Sequence, residues 1–140
     1  MDYSALDVPG PTITKLSQPF WDAVSEGQLL IQFCTSCSKG VFYPRPICPL
    51  CWADALEWHT ASGKGKLTSF TKIWKPGHPG WLTVAPYLVG LVQLHEGPTM
   101  LSHILQEGQI PNVGDPVIFK PTRIGKLTLP FFATVPTGEI

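Results

Sequence analysis

The sequence predicts a mainly β protein: a short N-terminal helix, then a metal-stapled hairpin, then a small closed barrel. Three observations carry that reading. The 140 residues include 13 Gly and 15 Pro, one residue in five, which break helices and build turns. Two Cys-x-x-Cys hooks, Cys34/Cys37 and Cys48/Cys51, are separated by ten residues. Beyond position 63 come five short runs of β-type residues, each bounded by Gly, Pro or Asp. Apolar residues make up 44% and charged residues 14%, which excludes a disordered chain. At 15.3 kDa one modest core is expected, with about two-thirds of the chain's surface buried.

The helix is read from Ser17, a candidate N-cap, Pro19 in the tolerated first turn, and Phe20, Ala23 and Val24 spaced to share one face. Gly27 ends it. Gln28 to Phe33 then reads as a strand entering the first hook and Gly40 to Tyr43 as a strand leaving it. Pro44, Pro46 and Pro49 stiffen the crossing to the second hook, and Leu56, Trp58 and Thr60 alternate as a third strand. Each hook lets two thiolates converge on one ion, and two hooks complete a tetrahedral set. Reduced cytosolic thiols argue against disulfides, and a redox dithiol needs only one hook. The same ligands suit structural zinc or, as the lesser reading, the iron of a rubredoxin-like site. Four protein ligands leave no open position for water or substrate, so the site is read as a staple and not as a catalyst.

Ser62-Gly-Lys-Gly65 joins this unit to the second. The runs Lys66 to Trp74, Pro86 to His95, Thr99 to Leu105, Pro116 to Lys120 and Lys126 to Val135 supply five strands, which suits a Greek-key barrel of the OB type. The divisions expected are 1–30 (extension and helix), 31–62 (zinc ribbon) and 63–140 (OB-fold domain). A long Pro/Gly/aromatic loop, 75–86, separates the first two barrel runs. Leu88 to Leu94 is apolar on both faces and should be covered from outside the barrel.

Ten acidic and ten basic residues cancel. Residues 34–82 nevertheless carry Lys39, Arg45, Lys64, Lys66, Lys72 and Lys75 against Asp54 and Glu57. Four thiolates on a divalent ion halve that local excess, so the cations must act as individual contacts and not as a field. No run nears 18 apolar residues, and Met1 to Pro11 lacks the regions of a signal peptide; a cytoplasmic protein that does not span a membrane is expected. No nucleophile motif, phosphate loop or carboxylate pair is found, and His59, His78, His95 and His103 share no metal spacing.

The joint order of the FWDAV-SEGQL helix, Pro44-Arg45-Pro46 before Cys-Pro-Leu-Cys, Leu56-Glu-Trp58, Ser62-Gly-Lys-Gly65, Ser69-Phe-Thr71, Pro86-Tyr-Leu-Val, Glu96-Gly-Pro98, Gly114-Asp-Pro-Val117 and Leu129-Pro-Phe131 resembles one family. It is that of the zinc-ribbon plus OB-fold proteins associated with acyl-CoA metabolism, and the resemblance runs from about residue 17 to the C-terminus. It implies an accessory subunit that sits beside a thiolase-type enzyme, such as a condensing thiolase, acyltransferase or aldolase, and holds a CoA thioester. Ser38 stands where the family has Gly, and His95 where it has an acidic residue. A CoA thioester asks for cations at its phosphates and an apolar or aromatic slot. Arg45, Lys64, Lys66, Lys72 and Lys75 are the candidate cations. Phe20, Trp21, Trp74 and Trp81 are the candidate walls of a groove between helix, ribbon and barrel, with Trp81 expected to be exposed. Two other readings stand: a single-stranded nucleic-acid binder, which zero net charge disfavours, and a rubredoxin-like electron carrier.

Overall fold

The computed structural model describes residues 3–135. The extremes of the 1–30 and 63–140 divisions, residues 1–2 and 136–140, therefore lie outside the described residues. A 3-10 turn at Tyr3–Ala5 precedes α1 (Gln18–Ser25), which buries Phe20, Ala23 and Val24 as their spacing predicts. Gly27 leaves the helix at φ +84°, a conformation that suits glycine. Ser17 holds the cap position, but its hydroxyl turns back to Thr14, accepting from the Thr14 N–H at 3.0 Å, and caps no helical N–H.

The ribbon is an antiparallel sheet of β1 (Leu30–Cys34), β2 (Lys39–Val41) and β3 (Leu56–Thr60), in the order β2-β1-β3. The barrel comprises β4 (Lys64–Ile73), β5 (Tyr87–Leu94), β6 (Thr99–Leu105), β7 (Pro116–Phe119) and, after a hairpin of β8 (Thr122–Ile124) and β9 (Leu127–Leu129), β10 (Phe132–Thr134). Its closed order is β10-β6-β5-β4-β7, with β10 parallel to β6 and antiparallel to β7. This is the five-strand OB closure that the spacing predicts. The run 126–135 is not one strand, however. Pro130 has no N–H to give a ladder, and the chain breaks there so that β9 pairs with β8 and only β10 closes the barrel.

One core joins the two units. Leu67, Leu88, Val92, Leu94, Met100, Ile104, Val117 and Phe132 fill the barrel, and Phe20 and Val24 of α1 and Leu29 and Ile31 of the ribbon close it. At about 1.5–3 kcal/mol for each fully buried side chain, this shared burial fixes the ribbon on the barrel. Glu96 adds a polar clamp: its carboxylate accepts from the Ser62 N–H at 2.8 Å, tying the β5–β6 turn to the join. Among the described residues no helix is long and apolar enough to cross a membrane.

A second apolar cluster lies around Leu6, Val84, Ile124 and Phe131, with Tyr3, Trp81, Tyr87 and Leu105 packed against it. It supplies part of the outer cover expected over β5. The remainder of that face is open: Leu91 and Leu101, paired across β5 and β6, are 41% and 66% exposed. At the centre of the covered part, His103 is stacked between Phe131 (4.3 Å) and Tyr87 (4.8 Å), and its Nε2 lies 3.1 Å from the Tyr3 Oη. Burial holds its pKa down at about 4, against an ordinary 6.5. The unfolded chain thus takes up a proton that the folded chain refuses between those values. Stability is complete above pH 6.5 and falls as pH drops towards 4, by on the order of 3 kcal/mol. Denaturant midpoints measured from pH 7 to 4 should decline less in His103→Phe than in the parent; equal declines would assign the loss to other groups.

Candidate metal centre

Cys34 leaves β1 and Cys37 closes the turn into β2, while Cys48 and Cys51 sit on the proline-stiffened crossing. Each hook ends in a left-handed residue, Ser38 (φ 60°) and Trp52 (φ 67°). That conformation lets the Ser38 N–H reach Cys34 O at 2.8 Å and the Trp52 N–H reach Cys48 O at 2.9 Å. Glycine would adopt that conformation without cost, whereas a side chain there costs roughly 1–2 kcal/mol of strain. The hooks are tied to the start of β3 by Thr35 N–H to Ala55 O (2.9 Å) and Cys48 N–H to Ala53 O (3.1 Å).

The four Sγ atoms lie within 4.8 Å of one another, with Cys34–Cys51 at 3.6 Å and Cys37–Cys48 at 3.8 Å. A tetrahedral metal–sulfur distance of about 2.3 Å places sulfurs about 3.8 Å apart, so the set fits one ion of that size. As thiols they conflict. Burial, reinforced by hydrogen bonds with the other three cysteines, pushes Cys37 up to about 12. Burial also acts upwards on Cys48, yet the backbone N–H groups of Cys51 and Leu50 bring it down to about 7. A divalent cation removes the conflict by taking all four as thiolates. Held by four thiolates, such an ion is structural.

The other candidates do not share one groove. Phe20 is fully buried, edge-on to Trp21, Phe42 and Tyr43, because α1 turns it into the common core. Trp21 is half-buried and donates from Nε1 to the Tyr43 Oη at 3.1 Å. Trp81, expected to be exposed, is half-buried instead: the 3-10 turn Pro79–Val84 carries it onto Tyr87 and His103, 5.7 Å from each. Arg45 is exposed, and its backbone is gripped on both sides by the buried Gln32 amide, at 2.6 and 2.9 Å. Lys64 and Lys66 begin β4, Lys72 lies near its far end and Lys75 just beyond it, so at about 3.3 Å per residue the two pairs stand roughly 25 Å apart. Trp74 is 69% exposed with Lys72 Nζ 4.8 Å from its ring centroid. Sequence reasoning missed Lys120, which reaches Glu107 at 2.6 Å and lines one cavity with Lys72, because the pairing of β7 through β10 and β6 to β5 (Phe119, Phe132, Ile104 and Leu88 in turn, with Leu88 opposite Lys72) brings it there.

Two family models match the chain: the rubredoxin-like zinc ribbon domain of ChsH2 over residues 21–57 and the C-terminal OB-fold domain of ChsH2 over residues 58–118. A protein of Thermomonospora curvata named "Probable enoyl-CoA hydratase alpha subunit" is 32% identical over 138 residues, covering 94% of this chain and 41% of that protein. A "DUF35 domain-containing scaffold protein" of Pyrococcus furiosus is 40% identical over 70 residues, 49% of this chain and 51% of that one. A second scaffold protein so named, from Methanothermobacter thermautotrophicus, is 34% identical over 94 residues, 64% of this chain and 70% of that one. This chain thus spans about half or less of the first two relatives. Among solved structures, one named "Ltp2-ChsH2(DUF35) aldolase" superposes with a TM-score of 0.76 at 29% identity, covering 89% of this chain and 98% of that one. A DUF35 protein of Sulfolobus solfataricus, at 15% identity and a TM-score of 0.59 over 84% of each chain, shares the fold. Ribbon, barrel and four-sulfur centre together place this chain in the ChsH2 (DUF35) family of zinc-ribbon plus OB-fold proteins.

Proposed function

We propose that this chain is a non-catalytic subunit that scaffolds a thiolase-type enzyme, whether a condensing thiolase, an acyltransferase or an aldolase, and holds its CoA thioester. Its ribbon carries structural zinc. The observation that carries the reading is the likeness to nearly the full length of a chain in the structure named Ltp2-ChsH2(DUF35) aldolase. The scaffold names of two curated relatives and the hydratase-subunit name of a third point the same way. The surface agrees: Leu50 and Trp52 on the second hook, 57% and 74% exposed, and Leu101 on the barrel wall, 66% exposed, are apolar groups a partner would bury. The nucleic-acid reading loses support, because Tyr87, His103 and Phe131, whose rings could stack bases, stack on one another.

Co-expression with a thiolase-like enzyme of the same organism should yield a stable complex, colourless and containing zinc. Its turnover of a CoA thioester should fall at least tenfold without this chain. A chain that stays monomeric and ignores both enzyme and CoA esters would overturn the proposal, as would salt-sensitive oligonucleotide binding or the colour of an iron tetrathiolate.

A further inference from the structure

We infer that the mouth of the barrel where β4 ends, together with Trp74, is the site that holds the nucleotide end and arm of the CoA thioester; this rests on the acyl-CoA reading above. A cavity of about 480 Å³ opens there. Val84, Leu88 and Ile104 give it an apolar floor, and Lys72 and Lys120 stand at its edge. Lys72 serves two places at once. It lines the cavity, and two residues along the same strand face its ammonium lies over one side of the Trp74 indole. Trp74 stays 69% exposed, so the rest of its ring is open to a planar partner. Among the described residues Lys72 has no carboxylate partner, whereas Lys120 is already paired with Glu107.

The order of these features sets the ligand class. An open indole takes a nucleobase, with stacking worth about 1–3 kcal/mol. The unpaired ammonium beside it takes phosphate. The weakly apolar cavity beyond takes a flexible arm. Base, phosphate, arm is the linear order of a CoA thioester, and a bare nucleotide or a free acyl chain would satisfy only part of it. Lys64, Lys66 and Arg45 lie elsewhere on the surface and are not needed by this pose.

The test uses the metal-loaded full chain, alone and with its enzyme partner, titrated with CoA, ADP and pantetheine. CoA should bind more tightly than either fragment. Trp74→Ala and Lys72→Met should each weaken CoA and ADP about tenfold and leave pantetheine within twofold. Lys64→Ala and Lys66→Ala should change nothing. An unchanged metal content and circular dichroism would show that the variants fold. If CoA binds the Trp74→Ala and Lys72→Met variants as it binds the parent, the site is wrong while the acyl-CoA reading stands. If CoA binds neither the chain nor the complex, the acyl-CoA reading itself falls and this site with it.

Discussion

Replacing Cys48 by Ser, or stripping the metal with a chelator, is expected to unfold the ribbon tip over residues 34–55 while the barrel persists. The tip has almost no core of its own. Its buried cluster is Cys34, Val41 and Cys48, with only Cys37, Ala53, Ala55 and Leu56 packed beside it. Apolar burial on that scale cannot offset the ordering of some twenty residues at about 1–2 kcal/mol each. Binding of a structural metal, on the order of 10 kcal/mol, can. The effect should be local. Leu29 and Ile31 are anchored in the barrel core, so β1 keeps one end when the hooks open. Hydrogen exchange gives the clearest reading. The N–H groups of Thr35, Cys48 and Trp52, which bond across the hooks, should lose protection by a factor of a hundred or more. Those of Val92 and Leu94 should lose little. Unchanged protection at Thr35 and Trp52 in the metal-free chain would show that the tip holds together without an ion.

The hooks could be read before the fold because their chemistry is local: four residue types at set spacings suffice, and the tertiary structure only has to bring two turns together. Four of the five barrel strands were legible for the same reason, since each announces itself by composition and by the turn that follows; the last reads too long, across the break at Pro130. What escaped was whatever depends on distant pairing. Tyr3 meets His103 across a hundred positions, and nothing in either neighbourhood marks the other. Trp81 in a Pro/Gly loop looks exposed until the N-terminal segment is laid along the wall that receives it. The candidate lysines are similar in sequence, but Lys64 and Lys66 lie at one end of a ten-residue strand and Lys72 at the other, with Lys75 just beyond it, so only Lys72 meets both an open aromatic and a cavity. Ser38 was visible as a departure from the family, but that it strains a left-handed backbone suited to glycine depends on the folded turn.

Phe20→Ala separates the structural role of the helix from the ligand-lining role its sequence suggested. Phe20 is fully buried and lies at the meeting of three units: α1 carries it, Phe42 and Tyr43 of the ribbon side touch it edge-on, and it belongs to the cluster that fills the barrel. Truncating a buried Phe costs about 3–5 kcal/mol, from lost transfer energy and the cavity left behind. For a chain of this size that lowers the melting temperature by roughly 10–20 °C. The loss should fall at the contact between ribbon and barrel, so proteolysis at the 60–65 join should accelerate together with the melting shift. Trp21→Ala, which removes a half-buried ring and one exposed hydrogen bond, should cost far less, about 1 kcal/mol. Below its melting point the Phe20→Ala protein should bind CoA as the parent does, because the proposed mouth of the barrel lies beyond the core that Phe20 closes. A variant that melts within about 1 kcal/mol of the parent but no longer binds CoA would reverse the assignment and return Phe20 to the ligand.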